Sequence, residues 1–408
     1  MSYIKRDMEK IVLELTKQYP AILITGPRQV GKTTMLQKLM AGTDRTYVSL
    51  DDLAARALAK ADPAMFFQLY KTPILIDEVQ YAPELFTYIK IMADKNALPG
   101  EFWLTGSQIF KLMKGVSESL AGRVAILNLS PLSQNEIYAS GGNTPFIVDM
   151  KSLAERQKNV KAASTPEIFR RIFSGGMPAI VSGKYKDRTI FYSSYISTYL
   201  ERDMKELSGA IDSLKFLKFI TAVSARTGQI VNYADIARDA EINQITAKNW
   251  LMILETLGII FYLHPYSNNT LKRVIRTPKL YFYDTGLCTY LTKWSSSETL
   301  ESGAMNGAIL ENYVVSEIVK SYYNSGKTPF LYYYRDKDMK EIDLLIEADG
   351  MLSPIEIKKT ASPASQLTKV FKTLDKANIQ RGNGAVLCMN DSLGAFDSKN
   401  LIIPIWLI

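Results

Sequence analysis

The segment AILITGPRQVGKTT, residues 21–34, decides the fold of the first part of this chain. A short apolar strand pattern, residues 21–25, leads directly into a glycine-bounded turn, and a helical pattern follows from Lys32. The turn fits G-x-x-x-x-G-K-[ST] in the strand–turn–helix context that this motif requires. We therefore predict a loop that wraps its backbone N–H groups around a phosphate, with the helix N-terminus adding a favourable dipole.

Two segments, the glycine-bounded loop and a strand that ends in two acids, are predicted to hold ATP and Mg²⁺. Lys32 is expected to reach the β- and γ-phosphates, and Thr33 to place its hydroxyl on Mg²⁺. A second apolar strand, ILIDE at residues 74–78, ends in two acids. Asp77 is expected to hold Mg²⁺ through water, and Glu78 to orient the attacking water. The predicted nucleotide-binding loop comprises Gly26, Pro27, Arg28, Gln29, Val30, Gly31, Lys32, Thr33 and Thr34.

Two further positions are candidates for the same site. The strand 102–105 ends in a polar turn, where Gln108 or Ser107 could sense the γ-phosphate, although a simple turn explains the pattern as well. Arg123 follows Gly122 and has two readings. It is either a finger that stabilises charge on a neighbouring subunit's phosphoryl group, which requires a homo-oligomer, or an arginine held in a surface salt bridge.

Motifs along nearly the whole chain resemble one bacterial and archaeal family of AAA+-type ATPases. The family places a nucleotide-binding domain before a C-terminal domain of unknown function. The resemblance implies ATP binding and hydrolysis, and it matches Glu78 to the family's acidic pair. The motifs are TGPRQVGKTT, ILIDEVQ, WLTGSQ, SLAGRV, NLSPLSQNE, GGMP at 175–178, YLERD at 199–203 and KLYFYDTGL at 279–287.

Composition excludes several other chemistries among the 408 residues. A Ser-His-Asp or Cys-His site would have to use His264, the single histidine, and the two cysteines cannot build a zinc site or a disulfide scaffold. The net charge is +8, and residues 141–300 hold 21 Lys or Arg against 14 Asp or Glu. That local excess indicates either a solvated helical surface or an electrostatic footprint for nucleic acid.

The sequence pattern in the middle of the chain predicts a winged helix-turn-helix over residues 213–265. Helical patterns at 213–225, 232–238 and 246–257 precede a strand at 259–263. DNA contact through residues 213–280 is one interpretation, and packing against protein is the other. The residues that could contact DNA are Gln244, Thr246, Lys248 and Asn249 on the longer helix, and Lys272, Arg273, Arg276 and Lys279 after it.

A predicted hairpin near the C-terminus carries further carboxylates. Asp343 and Glu356 fall on neighbouring strands, and Lys358 shares a face with Glu356. This pattern, with Glu311 on a preceding helix, resembles the restriction-endonuclease-like nuclease core, whose carboxylates bind Mg²⁺ or Mn²⁺ while the lysine activates water. A nuclease relic that cuts nothing, or ordinary strand-edge charges, are the alternatives. The strand 330–334 is expected to open the sheet.

These patterns predict an α/β protein with several domains. A doubly wound, AAA+-like P-loop domain is expected at 1–140, a linker and helical region at 141–212, the winged helix at 213–265, and the nuclease-like domain at 266–408. The apolar residues 401–408 are interpreted as a buried terminal strand. The charged N-terminus and the absence of a run of 18 apolar residues predict a cytoplasmic protein without a membrane span.

Overall fold

The computed structural model describes residues 3–96, 98–107, 119–140, 144–209, 211–267, 277–376 and 379–408. Within these residues the first sheet has five parallel strands in the order β2-β3-β4-β1-β5. The strands are β1 (Ala21–Thr25), β2 (Thr46–Ser49), β3 (Ile74–Asp77), β4 (Phe102–Thr105) and β5 (Val124–Asn128). Strand β4 thus lies between the strand that enters the glycine turn and the strand that ends in the acids. Because the strands are parallel, their carboxyl ends meet at one edge of the sheet.

Helices cover both faces of this sheet. Ile22 and Ile24 of β1 belong to one hydrophobic core, whereas Ala21 and Leu23 belong to another, because neighbouring strand residues point to opposite faces. The described helices of this part are Glu9–Thr16, Lys32–Met40, Leu53–Ala61, Pro63–Leu69 and Glu84–Asn96. The predicted α/β sheet is therefore present, with its glycine turn at the carboxyl edge.

The middle of the chain is helical up to Thr256. Asn232 and Asn243 each begin a helix, and their side-chain oxygens accept backbone N–H groups of the first turn. A π-helical stretch, Tyr195–Leu200, runs directly into one of the helices. The described helices are Gln134–Tyr138, Met150–Gln157, Thr165–Ser174, Pro178–Val181, Arg188–Ser194, Glu201–Ser208, Ser213–Ser224, Tyr233–Asp239 and Gln244–Thr256. The last three and the strand after them occur in the order that the sequence predicts.

A second, mixed sheet of eight strands follows in the described chain, in the order β12-β13-β11-β10-β9-β8-β6-β7. The strands are β6 (Ile260–Pro265), β7 (Lys279–Phe282), β8 (Leu331–Arg335), β9 (Glu341–Ala348), β10 (Met351–Ile357), β11 (Gly384–Cys388), β12 (Gly394–Asp397) and β13 (Asn400–Pro404). The helices Thr285–Leu291, Ser297–Ser302, Asn306–Asn324 and Lys372–Lys376 accompany it. Strands β9 and β10 form the predicted antiparallel hairpin, with Leu344 opposite Ile355.

One prediction about this sheet is wrong, and another is confirmed only in part. Strand β8 does not open the sheet, because β6 pairs with it in parallel and β7 extends the sheet further. The terminal apolar segment is a strand only from Asn400 to Pro404, after which Ile405–Leu407 form a 3₁₀ turn. The expected domain boundary between residues 265 and 266 falls inside this sheet, at the end of β6.

One hydrophobic core connects the first sheet to the middle of the chain. It contains Ile24 and Leu36 from the nucleotide-loop region together with Met204, Leu251 and Leu254 from the helices after it. Burying this shared apolar surface is the main force that joins the regions. No helix in the described chain is long and apolar enough to cross a membrane.

Candidate ATP site and C-terminal carboxylates

The glycine turn needs its glycines for two different reasons. Gly26 has φ +135°, and a Cβ there would lie 2.1 Å from the Leu129 carbonyl oxygen, so the loop passes directly against β5's exit. Gly31 has φ +92° and stands at the N-cap of the helix Lys32–Met40. Both backbone conformations disfavour residues with a Cβ. The turn therefore brings loop and helix N-terminus together at the carboxyl edge of the sheet.

Lys32 is buried inside the curve of this loop. Its Nζ donates to the carbonyl oxygens of Gly26 at 2.9 Å and Pro27 at 2.8 Å. Burial lowers the pKa of Lys32 to about 8, against the opposing effect of the Glu78 carboxylate. The ammonium is thus held at the loop, where a phosphate would meet it.

Thr33 and Asp77 are in direct contact, as the paired halves of the motif predict. The Thr33 hydroxyl donates to Asp77 Oδ1 at 2.6 Å. The same carboxylate oxygen accepts a hydrogen bond from Thr105 at the end of β4, and Thr105 Oγ1 accepts from the backbone N–H of Glu78 at 3.1 Å. Thr105 was not predicted, because only the strand order places it between the glycine turn and the acidic pair.

Glu78 leaves the sheet in a left-handed backbone conformation, with φ 56°. Its Oε2 accepts hydrogen bonds from Ser107 Oγ at 3.3 Å and from the Gln80 amide. Such a conformation is uncommon for a residue with a side chain and clusters at functional sites. Of the two candidates at the β4 exit, Ser107 contacts the acidic pair, while Gln108 lies outside the described residues.

A cavity of about 650 Å³ opens over the loop. That volume lies within the usual range for ligand pockets. Its wall combines the loop with the chain start and with the segment 178–185 of the helical region. The lining includes Tyr3, Arg6, Arg28, Gln29, Val30, Gly31, Lys32, Thr33, Thr34, Glu78, Pro178, Lys184, Tyr185 and Tyr199.

Arg28 ties the loop to the YLERD motif. Its Nε and Nη2 donate to the two Asp203 oxygens at 2.6 and 2.9 Å, a bidentate ion pair. Burial would lower the pKa of Arg28, but the Asp203 carboxylate outweighs it and raises the pKa above its ordinary value. The motif carries no local signal of this contact, so sequence reasoning missed Asp203.

Arg123 lies at the amino ends of the strands of the first sheet, opposite the edge where the glycine turn lies. Its carbonyl oxygen accepts from the N–H of Ala21, where β1 begins, whereas the glycine turn follows the end of β1. Its guanidinium pairs with Asp94 and donates to Ala121 O. A strand length therefore separates it from this chain's own loop, and a finger role could act only on another subunit.

Two other sequence motifs meet beside the loop, where Pro27 lines one small cavity together with Met177 and Asp284. The Asp284 carboxylate accepts from Gly176 N at 2.7 Å, Tyr192 OH at 2.7 Å and Leu287 N at 2.9 Å. A Cβ on Gly175 would lie 2.6 Å from Asp284 Oδ1. The GGMP and YFYDTGL segments therefore form one buried junction.

The candidate DNA-contacting residues have mixed positions. On the helix Gln244–Thr256, Gln244, Lys248 and Asn249 are exposed, and Thr246 is half-buried. Lys279 is not available for phosphates: its side chain is 4% exposed and its Nζ lies 3.0 Å from Glu311 and 2.7 Å from Glu341. That prediction is wrong, because β7 places Lys279 inside the second sheet. Lys272, Arg273 and Arg276 lie outside the described residues.

The C-terminal hairpin brings three predicted residues together. Lys358 Nζ lies 2.6 Å from Glu356 Oε1 and 3.4 Å from Asp343 Oδ2. Burial, with the Asp343 charge adding to it, raises the pKa of Glu356 to about 7. Glu356 Oε2 is buried and has no hydrogen-bond partner among the residues that the structure describes. The Asp and Glu-x-Lys positions thus form a compact cluster at the end of the hairpin.

Glu311 lies near enough to this cluster for the Asp343 charge to add to burial in raising its pKa, and it also has partners of its own. Its Oε1 accepts from Lys279 at 3.0 Å and from Tyr281 OH at 2.7 Å. Burial raises the pKa of Glu311, against the Lys279 ammonium. In the part of the chain that the structure describes, no group of three or more His, Cys, Asp or Glu side chains is arranged to hold a metal ion.

Three family models match successive parts of the chain. Residues 18–138 match a family described as an AAA domain. Residues 165–298 and 306–408 match two families described as domains of unknown function, DUF8612 and DUF4143. The first match covers the sheet with the glycine turn and the acidic pair.

Relatives extend the likeness over most of the chain. An uncharacterized protein of Mycobacterium tuberculosis is 29% identical over 362 residues, covering 88% of this chain and 75% of that protein. An uncharacterized protein of Methanocaldococcus jannaschii is 24% identical, covering 76% of this chain and 70% of that protein. The Walker-type ATPase of Pyrococcus abyssi aligns over 71% of this chain and 96% of its own, with 16% identity and a TM-score of 0.45. Residues 18–138 are therefore similar to AAA-type P-loop domains, and the two segments that follow match domains of unknown function.

Proposed function

We propose that this protein binds Mg²⁺-ATP at the loop Gly26–Thr34 and hydrolyses it. The observation that carries the proposal is the contact of Thr33 with Asp77 beside the buried Lys32. A loop hydroxyl next to a carboxylate is the oxygen ligand set that Mg²⁺ takes in P-loop enzymes. The cavity above the loop has a volume suited to a nucleotide.

The residues divide the work by their positions. Lys32 would bind the phosphates, and Thr33 and Asp77 would hold Mg²⁺, which neutralises charge on the phosphate oxygens. Glu78 projects from the strand end next to this pair, where it would orient water. Thr105 fixes Asp77 and the Glu78 backbone relative to each other, and Ser107 fixes the Glu78 side chain.

The nucleotide state would be passed to the domains that follow, in support of a DNA-related activity. The shared hydrophobic core and the Arg28–Asp203 pair connect the loop to the helical region, and residues 141–300 carry the excess positive charge. The alternative is a regulatory ATPase that acts on a protein partner through the same connection. A homo-oligomer is part of either version if Arg123 serves a neighbouring subunit.

A second candidate activity is cleavage of a phosphodiester by the C-terminal domain. The convergence of Asp343, Glu356 and Lys358 favours it. The unpartnered Glu356 oxygen could accept a Mg²⁺ or Mn²⁺ ion, with Lys358 steadying the attacking water. Glu311, which accepts hydrogen bonds from Lys279 and Tyr281, would be the helix-borne member of that set.

Steady-state ATP turnover tests the main proposal. The wild-type protein should hydrolyse ATP in a Mg²⁺-dependent reaction, and Lys32→Met should lose turnover while its far-ultraviolet circular dichroism stays unchanged. Lys38→Met, on the exposed side of the same helix, is the matched control and should retain turnover. Equal turnover in wild type and Lys32→Met would refute the assignment.

DNA cleavage tests the second candidate separately. Wild type, Asp343→Ala and Lys358→Ala would be incubated with DNA in Mg²⁺ or Mn²⁺. Cleavage that disappears in both variants, while ATP turnover persists, supports a nuclease. Absence of cleavage in the wild type, or cleavage that survives both changes, leaves the regulatory ATPase. A salt titration of DNA binding tests the basic middle region, because phosphate contacts weaken as salt rises.

A further inference from the structure

Two arginines line the cavity over the loop, and their bonding differs. All three guanidinium nitrogens of Arg6 are engaged, with Glu136, the Val30 carbonyl and the Ser130 carbonyl, each at 2.8 Å. Arg6 is 3% exposed and acts as a buried tie. Arg28 uses only Nε and Nη2 for Asp203, and Nη1 takes no part in that pair.

The guanidinium of Arg28 is held by one helical stretch and by a side-chain hydrogen bond with Tyr81, which follows the acidic pair. Asp203 is 3% exposed and holds it through two hydrogen bonds, and the Tyr199 ring lies 5.9 Å from its centre. Removing Arg28 would leave the buried Asp203 carboxylate with only Arg202, whose Nε lies 3.9 Å from Oδ1, which is costly. The Arg28 side chain is therefore held in one orientation in the cavity.

We propose that Arg28 contacts the terminal phosphate of the nucleotide bound by the same chain, and that Asp203 is the positioning residue that aims it. This inference rests on the proposed ATP site. Arg28 belongs to the loop that would wrap the phosphates, and it lines the same cavity as Lys32, Thr33 and Glu78. Its pairing with Asp203 and its hydrogen bond with Tyr81 fix a planar donor group at the cavity wall, so little reorganisation is needed at the moment of reaction.

The arrangement gives the middle of the chain direct access to the nucleotide state. Asp203 lies on the helix Glu201–Ser208, which continues from the π-helical stretch Tyr195–Leu200. This helix packs against Gln244–Thr256, the longer helix of the middle region. A contact between a terminal phosphate and Arg28 would therefore act on that helix through the Arg28–Asp203 ion pair. Arg123, at the opposite sheet edge, cannot serve this chain's nucleotide in the same way.

Nucleotide binding and turnover of Arg28 variants test the inference. In Arg28→Gln we expect kcat to fall about 10²-fold, the usual loss for one donor to a developing charge. Affinity for ATP should fall about tenfold, whereas affinity for ADP should change less than about threefold, because the lost contact is to the terminal phosphate alone. Arg28→Lys should recover little, since an ammonium lacks the planar fork. Lys205→Gln, exposed on the same helix as Asp203, is the matched control.

Asp203→Asn separates positioning from folding. It should lower kcat about tenfold with little change in KM, because the amide keeps the shape but loses the ion pair. If Arg28→Gln unfolds with Asp203 left unpaired, the neutral double variant Arg28→Gln/Asp203→Asn replaces it. Near-normal kcat in Arg28→Gln, or equal losses of ATP and ADP affinity, would overturn the inference. If wild type neither binds nor hydrolyses ATP, the proposed function itself fails.

Discussion

Thr105 is the residue on which the two halves of the candidate site depend. It is fully buried at the end of β4, donates to Asp77 and accepts from the Glu78 backbone. A single hydroxyl thereby sets the distance between the acid that would hold Mg²⁺ and the acid that would orient water. A small displacement of such groups is costly for catalysis.

Thr105→Val tests this role with little change in shape. The valine leaves the Glu78 N–H without its acceptor, so we expect a loss of about 1–3 kcal/mol in the free energy of unfolding. Turnover should fall about tenfold or more, because Glu78 is no longer aimed. Urea unfolding and ATP turnover measure the two effects. Thr43→Val, at an exposed turn, should change neither; unchanged turnover in Thr105→Val would contradict the role.

Lys32 makes nucleotide affinity depend on pH. Its pKa in the folded protein, about 8, lies below the ordinary lysine value of 10.5. The ionised form therefore destabilises the fold at pH values below 8, and this cost is relieved as pH rises from 8 towards 10.5. ATP needs the ammonium, so its Kd should rise by up to about tenfold per pH unit above pH 8.

Titration of ATP binding between pH 7 and 9.5 checks this expectation. Lys32→Met should bind weakly with no such slope, because the titrating group is absent. A flat wild-type Kd across that range would show that Lys32 keeps its proton without a phosphate partner.

The residues of the site were predictable to the extent that their signals are local. Lys32, Thr33 and Asp77 were found because a nine-residue loop and a strand ending in acids carry their own patterns. Thr105 and Asp203 were missed, because their roles arise from strand order and from a helix folded onto the loop. No spacing in the sequence encodes either contact.

At the scale of elements, the junction around Asp284 holds the helical region to the second sheet. One carboxylate caps the helix Thr285–Leu291 and also binds Gly176 N and the Tyr192 hydroxyl. The bond to Gly176 joins residues 108 apart in the chain, and the bond to Tyr192 joins residues 92 apart. The hydrogen bonds of Asp284 are therefore expected to contribute to stability.

Asp284→Ala should lower the free energy of unfolding by about 3 kcal/mol or more, through loss of a cap and of buried hydrogen bonds. Asp212→Ala is the matched control, because Asp212 also caps a helix but is exposed. That change should cost only about 1 kcal/mol. Urea denaturation of both variants measures the difference, and equal costs would mean that the junction contributes nothing beyond the cap.

For the whole molecule, the continuous core implies that the ATPase domain and the middle helices open together. Ile24 and Leu36 share one core with Leu251 and Leu254. A ligand that stabilises the loop therefore stabilises both parts, by about 2.7 kcal/mol at a hundredfold excess over Kd. Saturating Mg²⁺-ATP should slow amide hydrogen exchange in Gln244–Thr256 as well as in Lys32–Met40.

Hydrogen exchange followed by mass spectrometry checks this coupling. Lys32→Met in the presence of ATP is the control and should show no added protection. Protection confined to the first sheet would mean that the two regions open independently.

The sequence predicted the elements of the molecule better than their assembly. The parallel sheet follows from strand–helix alternation, and the hairpin of β9 and β10 follows from a turn at residues 349–350. The pairing of β6 with β8 joins segments about seventy residues apart. Such long-range pairing depends on tertiary packing, which local sequence patterns do not reveal. The domain boundary expected at residue 265 was therefore drawn without knowledge of this pairing.

The central claim is that the loop and the acidic pair form an ATP-hydrolysing site. Glu78→Gln tests it most directly, in a single-turnover reaction with γ-labelled ATP and excess protein. Both proteins should bind ATP, wild type should release labelled phosphate, and Glu78→Gln should do so about 10²-fold more slowly. Phosphate release by Glu78→Gln at the wild-type rate, or failure of the wild type to bind ATP, would contradict the account.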